Sequence, residues 1–421
     1  MKLIAVVSLK MKTGLLPQFI ASLYKYGVGI NYINLTETDD RWEDYSIEIT
    51  YSVKKELIRL LDSLNKNTEY FRNISITSTL EDRIKGGLLK TSGKIDIENI
   101  NDIETALLGG NRLIHEKIDA GLGKSYCGCF NSVGLISGHR TSRSNSITHL
   151  HHYYADSERD AVIINRFTGR NAFPCVIRYS SIEDLMRSLK SVEDNFACIR
   201  IMKTDEEELP YSSIIDSISR PIISSELDEK PLFYYSLLQK LCSVHKMKPE
   251  ETAVGIIGLS GYSIRLTALL NKCGYAKILG YDSRERIMMS FETRKGLATN
   301  VENIMANCDI ILIADEHGEH DIDEKMQPGQ ILISENPADK SPEEMVRHKG
   351  LKDYIVTGEH CAVSLIPGML NGILSREERF YSDEMLLRLG DFVSRNISDK
   401  YMLPGLFSSF NENFEAEIQK G

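Results

Sequence analysis

Residues 253–282 read AVGIIGLSGYSIRLTALLNKCGYAKILGYD. The opening apolar run has the length and composition of a strand buried on both faces. It leads into Gly258-Leu259-Ser260-Gly261-Tyr262-Ser263, a helical stretch follows, and a second apolar run ends at Asp282. Strand, glycine turn, helix, strand is the setting in which a turn holds the pyrophosphate of a dinucleotide against a helix N-terminus. Gly258 makes the tight turn. Asp282, twenty-four residues on, is placed to accept hydrogen bonds from a ribose hydroxyl and to repel a 2′-phosphate, which favours NAD over NADP. Arg284 nearby works against that preference. Ser260 stands at the second glycine of the motif and Ser263 at the third, with Gly261 one residue out of register. The stretch is read either as a working nucleotide turn or as a Rossmann-type domain kept for its structure.

Downstream, "DIILIAD", "GQILISE" and "DYIVTG" continue the alternation of strands and helices to a helical tail, "SDEMLLRLGDFVSRNI". Upstream, from about Leu80 to His245, "SVGLISG", "RDAVIIN", "PCVIRYS", "ACIRIM" and "RPIISSE" read as strands of a second α/β region. Before that, Met1 to Thr79 run strand, helix, strand, strand, helix, strand, which predicts two helices on one face of a four-stranded antiparallel sheet. At 421 residues the chain is long enough for two to four domains.

Apolar residues make up 42% and charged residues 26%, a globular balance that excludes wholesale disorder. Fifty basic against sixty acidic side chains give −10, which argues against nucleic acid or an anionic membrane as the main partner. No apolar run approaches eighteen residues, so no transmembrane helix is expected, and "MKLIAVVSLKMKTG" reads as a strand, not a signal peptide. The eight cysteines are scattered, most inside apolar runs, as expected of small core residues in a reducing, cytoplasmic setting. Cys127-Gly128-Cys129 is too close-set for a two-residue redox pair or zinc knuckle.

The first 79 residues resemble an ACT domain through their element order, Gly14 at the first strand–helix turn, and Gly29-Ile30-Asn31 entering the second strand. The resemblance implies a ferredoxin-like module that binds an amino acid or small metabolite near Gly14, Gly29 and Asn31, or one that only dimerises. From about Gly93 onward the chain resembles a malic enzyme. The resemblance is carried by "SGKIDIENINDIETALLGG", "RDAVIINRFTGRNAFP", "FACIRIM", "RPIISSELDEKP", the Rossmann turn, "ILISENP" and "LIPGMLNGILSREERFYSDEMLLRL". It implies an ACT domain over 1–79, a malic-enzyme N-terminal domain over 80–247, and a Rossmann-type NAD-binding domain over 248–421. It also implies a homodimer.

Malic enzymes oxidise malate by hydride transfer to a nicotinamide and then release carbon dioxide. They need a tyrosine acid, a lysine base and a divalent metal held by carboxylates. In this sequence Leu107 stands at the tyrosine and Asp160 at the lysine. Met202 and Lys203 occupy two metal-carboxylate positions, and Glu226 alone keeps an oxygen donor. Asn336 retains a substrate-side asparagine and joins the cofactor-binding set, whereas Cys361-Ala362 replace a later asparagine pair. The expectation is an NAD-binding protein without bound divalent metal, without malate decarboxylation, in a regulatory or sensing role. The alternative is an active NAD-dependent malic enzyme or related oxidoreductase. A three-residue slip would bring Asp205 and Glu206 toward the metal position, although "KTDEEELP" reads more simply as a solvated loop. "HRTSRSNSITHLHHYYADSERD" offers four histidines, read either as an anion or proton-transfer site or as an exposed polar segment.

Overall fold

A computed structural model of the chain describes residues 3–90, 94, 96–97, 100–141, 147–205, 209–275, 277–314, 325–336, 342–358 and 361–420. Two compact units divide the chain at Lys90.

The first unit is a ferredoxin-like sandwich. Its strands β1 (Leu3–Lys12), β2 (Gly29–Thr38), β3 (Trp42–Tyr51) and β4 (Phe71–Thr79) form an antiparallel sheet in the order β2-β3-β1-β4. Helices α1 (Leu16–Lys25) and α2 (Lys54–Asn65) follow β1 and β3. Strand periodicity explains the core: Val7, Leu9 and Met11 of β1 share a cluster with Ile47 and Ile49 of β3, and Phe19, Leu57 and Leu60 meet them from the helices. A short helix, Leu80–Ile84, is started by a reciprocal capping box between Thr79 and Asp82.

The second unit carries two parallel sheets. One is formed by β5 (Ser132–Arg140), β6 (Asn171–Tyr179), β7 (Cys198–Thr204) and β8 (Ile222–Ser224), in the order β6-β5-β7-β8. The other is formed by β9 (Ala253–Ile257), β10 (Lys277–Tyr281), β11 (Leu297–Ala298), β12 (Ile310–Ile313), β13 (Ile331–Ser334) and β14 (Asp353–Val356). Its order, β11-β10-β9-β12-β13-β14 with every pair parallel, is that of a full doubly wound dinucleotide fold. The two-residue β11 was too short to announce itself in the pattern.

"RDAVIIN" is a correction. It lies inside the helix Ile147–Thr168, not in a strand. Asp160, Ala161 and Ile164 are buried while Val162 is exposed, which is helical spacing. A short apolar run does not distinguish the two states by itself.

Residues 100–126 form consecutive helical segments, interrupted at Gly121, whose φ is +79°. Ile100, Leu107, Leu108, Leu113 and Leu122 are all exposed there. No helix among the described residues is long and apolar enough to cross a membrane.

Candidate functional site

The C-terminal ends of both parallel sheets open on one cleft of about 660 Å³. Ligands of doubly wound folds bind at this end of the strands, where the strand order reverses; here that point lies between β9 and β12. Asp160, Met202, Lys203, Glu226, Ser260, Gly261 and Asn336, singled out from five separate stretches of sequence, all line this cleft.

On the nucleotide side, β9 ends at Gly258, whose φ of +78° only glycine adopts without strain. The Leu259 amide donates to Asp282 Oδ2 (2.8 Å) and the Ser260 amide to Ser263 Oγ (2.8 Å), which fixes the turn ahead of the helix Gly261–Lys272. The first amides of a helix have no intrahelical acceptor. Those of Gly261 and Tyr262 open the helix at the cleft wall. A helix start of this kind suits a pyrophosphate. The turn therefore fits a dinucleotide despite the serines.

Asp282 differs from the expectation of a carboxylate open to ribose. Its Oδ1 accepts from Arg284 N and Nε (both 2.8 Å) and its Oδ2 from Arg284 Nη2 (2.8 Å). Arg284 Nη2 also donates to Leu259 O (2.6 Å), and Arg284 lines the cleft. Burial acts to raise the Asp282 pKa, but these hydrogen bonds and the guanidinium charge hold it below the usual carboxylate value.

On the opposite side the cleft is walled by an ion-pair network. Arg200, 2% exposed, donates from Nε and Nη2 to the two carboxylate oxygens of Glu229 (2.7 Å each). Its Nη1 donates to Asp160 Oδ2 (2.8 Å), and Arg159 Nε donates to Asp160 Oδ1 (2.8 Å). Burial would discharge Arg200, but Glu229 and Asp160 outweigh it and hold the guanidinium protonated. Asp160 thus has both oxygens engaged by cations. Met202 places its sulfur against the same Arg200 nitrogen. Lys203 is exposed at the cleft. Asp205 accepts from Tyr153 Oη (2.5 Å) and the Arg140 amide (2.7 Å) and pairs with buried His139 (2.7 Å). Glu206 lies outside the described residues.

Sequence reasoning missed the cleft's central cation. Lys230 Nζ lies 3.2 Å from Glu226 and 3.5 Å from Glu335, and 4.9 Å from the centre of the Tyr262 ring. Tyr262 stacks on Tyr234 (5.2 Å), whose hydroxyl donates to Glu335 (3.0 Å). Burial opposes the charge on Lys230, but Glu226 and Glu335 raise its pKa; burial likewise raises that of Glu335, against the pull of Lys230. Cys361, behind them, is pushed by burial up to about 12. "SELDEKP" and "SENP" contained these groups, but nothing in their spacing joined them.

No cluster of three or more His, Cys, Asp or Glu able to hold a metal occurs among the described residues. Met202, Lys203 and Glu226, expected from the resemblance at metal-ligand positions, offer a thioether, an ammonium and a carboxylate already bridged to Lys230, a set that does not fit magnesium or manganese.

The remaining sites lie elsewhere. Leu107 is 41% exposed on the helical segment Ile103–Leu108 and is not part of the cleft lining. In the first unit Gly14 has φ +85° with open space about it, and a side chain at Gly29 would meet Thr50 Oγ1. Asn31 Nδ2 donates to Glu48 (2.8 Å), which also pairs with Arg83 (2.7 Å). Of the histidine segment, 142–146 lie outside the described residues, while His151 and His152 are exposed. His139 is a correction to the exposed reading: it is 3% exposed.

No protein family's sequence model matches the chain, and no curated protein matches it in sequence. Solved structures do match. The Entamoeba histolytica malic enzyme aligns with TM-score 0.67 and 14% identity, over 80% of this chain and 79% of that one. The NAD-dependent malic enzyme of Thermotoga maritima gives 0.64 and 15%, over 80% and 97%. A protein described as a putative malic enzyme (malate oxidoreductase) gives 0.65 and 15%, over 80% and 98%. With identity this low the likeness is one of architecture, and four-fifths of this α/β chain shares the malic enzyme fold.

Proposed function

We propose that this chain is a malic-enzyme-type protein that binds a nicotinamide dinucleotide, has lost malate decarboxylation, and acts as a sensor or regulatory partner. The observation that carries this reading is Asp160, at the position of the family's lysine base, with both oxygens held by Arg159 and Arg200. Both carboxylate oxygens are committed to guanidinium partners, where the family's reaction needs an amine. Met202, Lys203 and Glu226, at the positions the resemblance gives to the metal ligands, are a poor set for a divalent cation, so base and metal fail together. Losing one proton-transfer group alone costs about 10²–10⁴ in rate.

The division follows the resemblance: an ACT-like domain over 1–79, a substrate-side domain over 80–247 and a nucleotide domain over 248–421. Gly258, Ser260, Gly261, Ser263 and Asn336 would hold the dinucleotide. Bound, it would supply a hydride acceptor. The chain's own residues orient it, with the helix-start amides on the pyrophosphate and the Asp282–Arg284 pair at the ribose end. Because Arg284 covers Asp282, a 2′-phosphate would not meet a bare carboxylate, so NAD and NADP both belong in the titration. An amino acid or small metabolite at Gly14 and Gly29 is the proposed effector. The exposed apolar row of residues 100–126 supports a homodimer, and the eight free cysteines fit a cytoplasmic setting.

Purified protein with malate, NAD and manganese should form no NADH while calorimetry detects nucleotide binding. Metal-dependent turnover would overturn the reading; absence of binding by both NAD and NADP would remove its nucleotide half. The Lys230–Glu335–Tyr234 cluster favours a second reading, an oxidoreductase of altered substrate, because acid–base groups with raised pKa values converge beside the cleft. That reading requires a 2-hydroxy acid whose nucleotide-dependent oxidation is abolished by Glu335→Gln.

A further inference from the structure

The chain's eight cysteines are all free thiols, but their surroundings differ sharply. Cys198, Cys308 and Cys361 are each pushed by burial up to about 12, as inert core thiols are. Cys242 and Cys273 contact tyrosine hydroxyls, and burial raises the thiol of Cys175. Cys127 and Cys129 alone have sulfur beside sulfur, 3.0 Å apart and half-buried.

The backbone holds them so. Cys127 closes the helical turn Gly123–Tyr126 through its amide to Gly123 O (2.8 Å), and the 3-10 turn Gly128–Asn131 begins at the next residue. Ser132 Oγ donates to Gly128 O (2.7 Å), which pins that turn to the start of β5. A side chain at Gly128 would meet nothing within 4 Å, so the approach beside the pair is open. A disulfide needs the sulfurs at about 2.0 Å, an approach of roughly 1 Å from their present separation.

We infer that Cys127 and Cys129 form a dithiol–disulfide exchange site that reacts with small-molecule disulfides. Hydrogen bonds from Cys129, first its thiol and then its backbone amide, lower the pKa of Cys127, whereas burial and then the neighbouring Cys127 raise that of Cys129. Cys127 is therefore the attacking thiolate and Cys129 the resolving thiol. The Cys127 thiolate attacks one sulfur of the disulfide RS–SR, breaking that bond, forming a mixed disulfide and releasing RS⁻. Cys129 gives its proton to a released thiolate and attacks the Cys127 sulfur, which expels the second RS⁻. The two protein sulfurs are oxidised and one RS–SR is reduced to two thiols. This site lies at the junction of the 100–126 helical segments with β5, so its oxidation state fixes or frees that joint.

The test uses the full chain. Reduced protein is exposed to oxidised glutathione, alkylated and digested with trypsin. Cleavage after Lys124 and Arg140 gives one peptide, Ser125–Arg140, with these two cysteines and no others. The expected product is this peptide two hydrogens lighter, restored by dithiothreitol, while the other six cysteines stay alkylated. Cys129→Ser should accumulate a glutathione adduct on Cys127, and Cys127→Ser should react at least about tenfold more slowly at this site. A peptide that stays fully alkylated, oxidation spread over the buried cysteines, or equal rates in the two variants would each overturn the assignment.

Discussion

The two walls of the cleft are built from the same element, the C-terminal end of a parallel sheet, yet they treat polarity in opposite ways. Past β9, the turn leaves the amides of Gly261 and Tyr262 without intrahelical acceptors at the cleft. Opposite, Asp160 of the helix Ile147–Thr168, Arg200 of β7 and Glu229 beyond β8 satisfy one another, and Lys230 is bracketed by Glu226 and by Glu335, which follows β13. The first wall lacks a partner that a phosphate can supply. The second already has its partners. One wall thus has donors to spare, while the other commits its charges to its own structure.

The sharpest break of that contrast is at Arg200. Replacing it with methionine leaves Glu229 buried without its guanidinium and Asp160 with Arg159 alone, and such a loss costs about 3–5 kcal/mol. Urea unfolding followed by circular dichroism should show it in the second unit. Arg159→Met, at a side chain 33% exposed, removes a more solvated partner of the same carboxylate and should cost at most about 1 kcal/mol. Equal effects at the two positions would mean that the network is not what holds this wall.

A second, smaller effect is set by pH. Asp228 is fully buried between Arg265 (3.0 Å), Tyr211 and the Ser224 amide (2.7 Å), and burial raises its pKa from 3.8 to about 6 despite Arg265. The folded state therefore prefers the protonated acid. Below about pH 4 both states hold the proton and the full stability is present; as pH rises through about 6 the unfolded chain has lost its proton and folding bears the cost of ionisation. A shift of roughly two units is worth about 3 kcal/mol. Unfolding free energy should fall across this window, and Glu335, raised by burial, adds to the fall. Carboxylates held low, such as Asp282, act in the opposite sense and at more acid pH. Asp228→Asn should flatten the slope; an unchanged slope would assign the titration to another group.

What the sequence disclosed follows from range. The turn after β9, the alternation in β1 and β3, and the succession of strands and helices in the first unit are local patterns, each element read within about thirty residues, where periodicity operates. Arg200 pairs with residues 40 and 29 positions away, and Lys230 meets Glu335 across 105, so no local pattern points to either. "RDAVIIN" failed for the opposite reason: seven residues are too few to separate a strand from a buried helix. By their spacing Cys127 and Cys129 read as too close-set for a two-residue redox pair, and spacing does not give where the sulfurs point. The pattern places Asp282 at the end of β10 with Arg284 beside it, but that Arg284 pairs with both of its oxygens is a matter of side-chain direction, which sequence does not give.

The smallest expected effect tests the nucleotide wall. Gly258→Ala puts a β-carbon on a residue with φ +78°, a conformation that costs other L-residues about 1–2 kcal/mol. The substitution touches none of the ion pairs opposite, so its thermal shift should be modest. Its effect on ligand should be larger than its effect on stability: the turn that aims the Gly261 and Tyr262 amides would relax toward negative φ, and nucleotide affinity should fall by at least about tenfold in calorimetry, equivalent to about 1.4 kcal/mol. Arg200→Met should do the reverse, lowering stability most while leaving nucleotide contacts in place wherever the protein remains folded. If Gly258→Ala binds as the unaltered chain does, the turn positions nothing, and the two walls differ only in how they are held together.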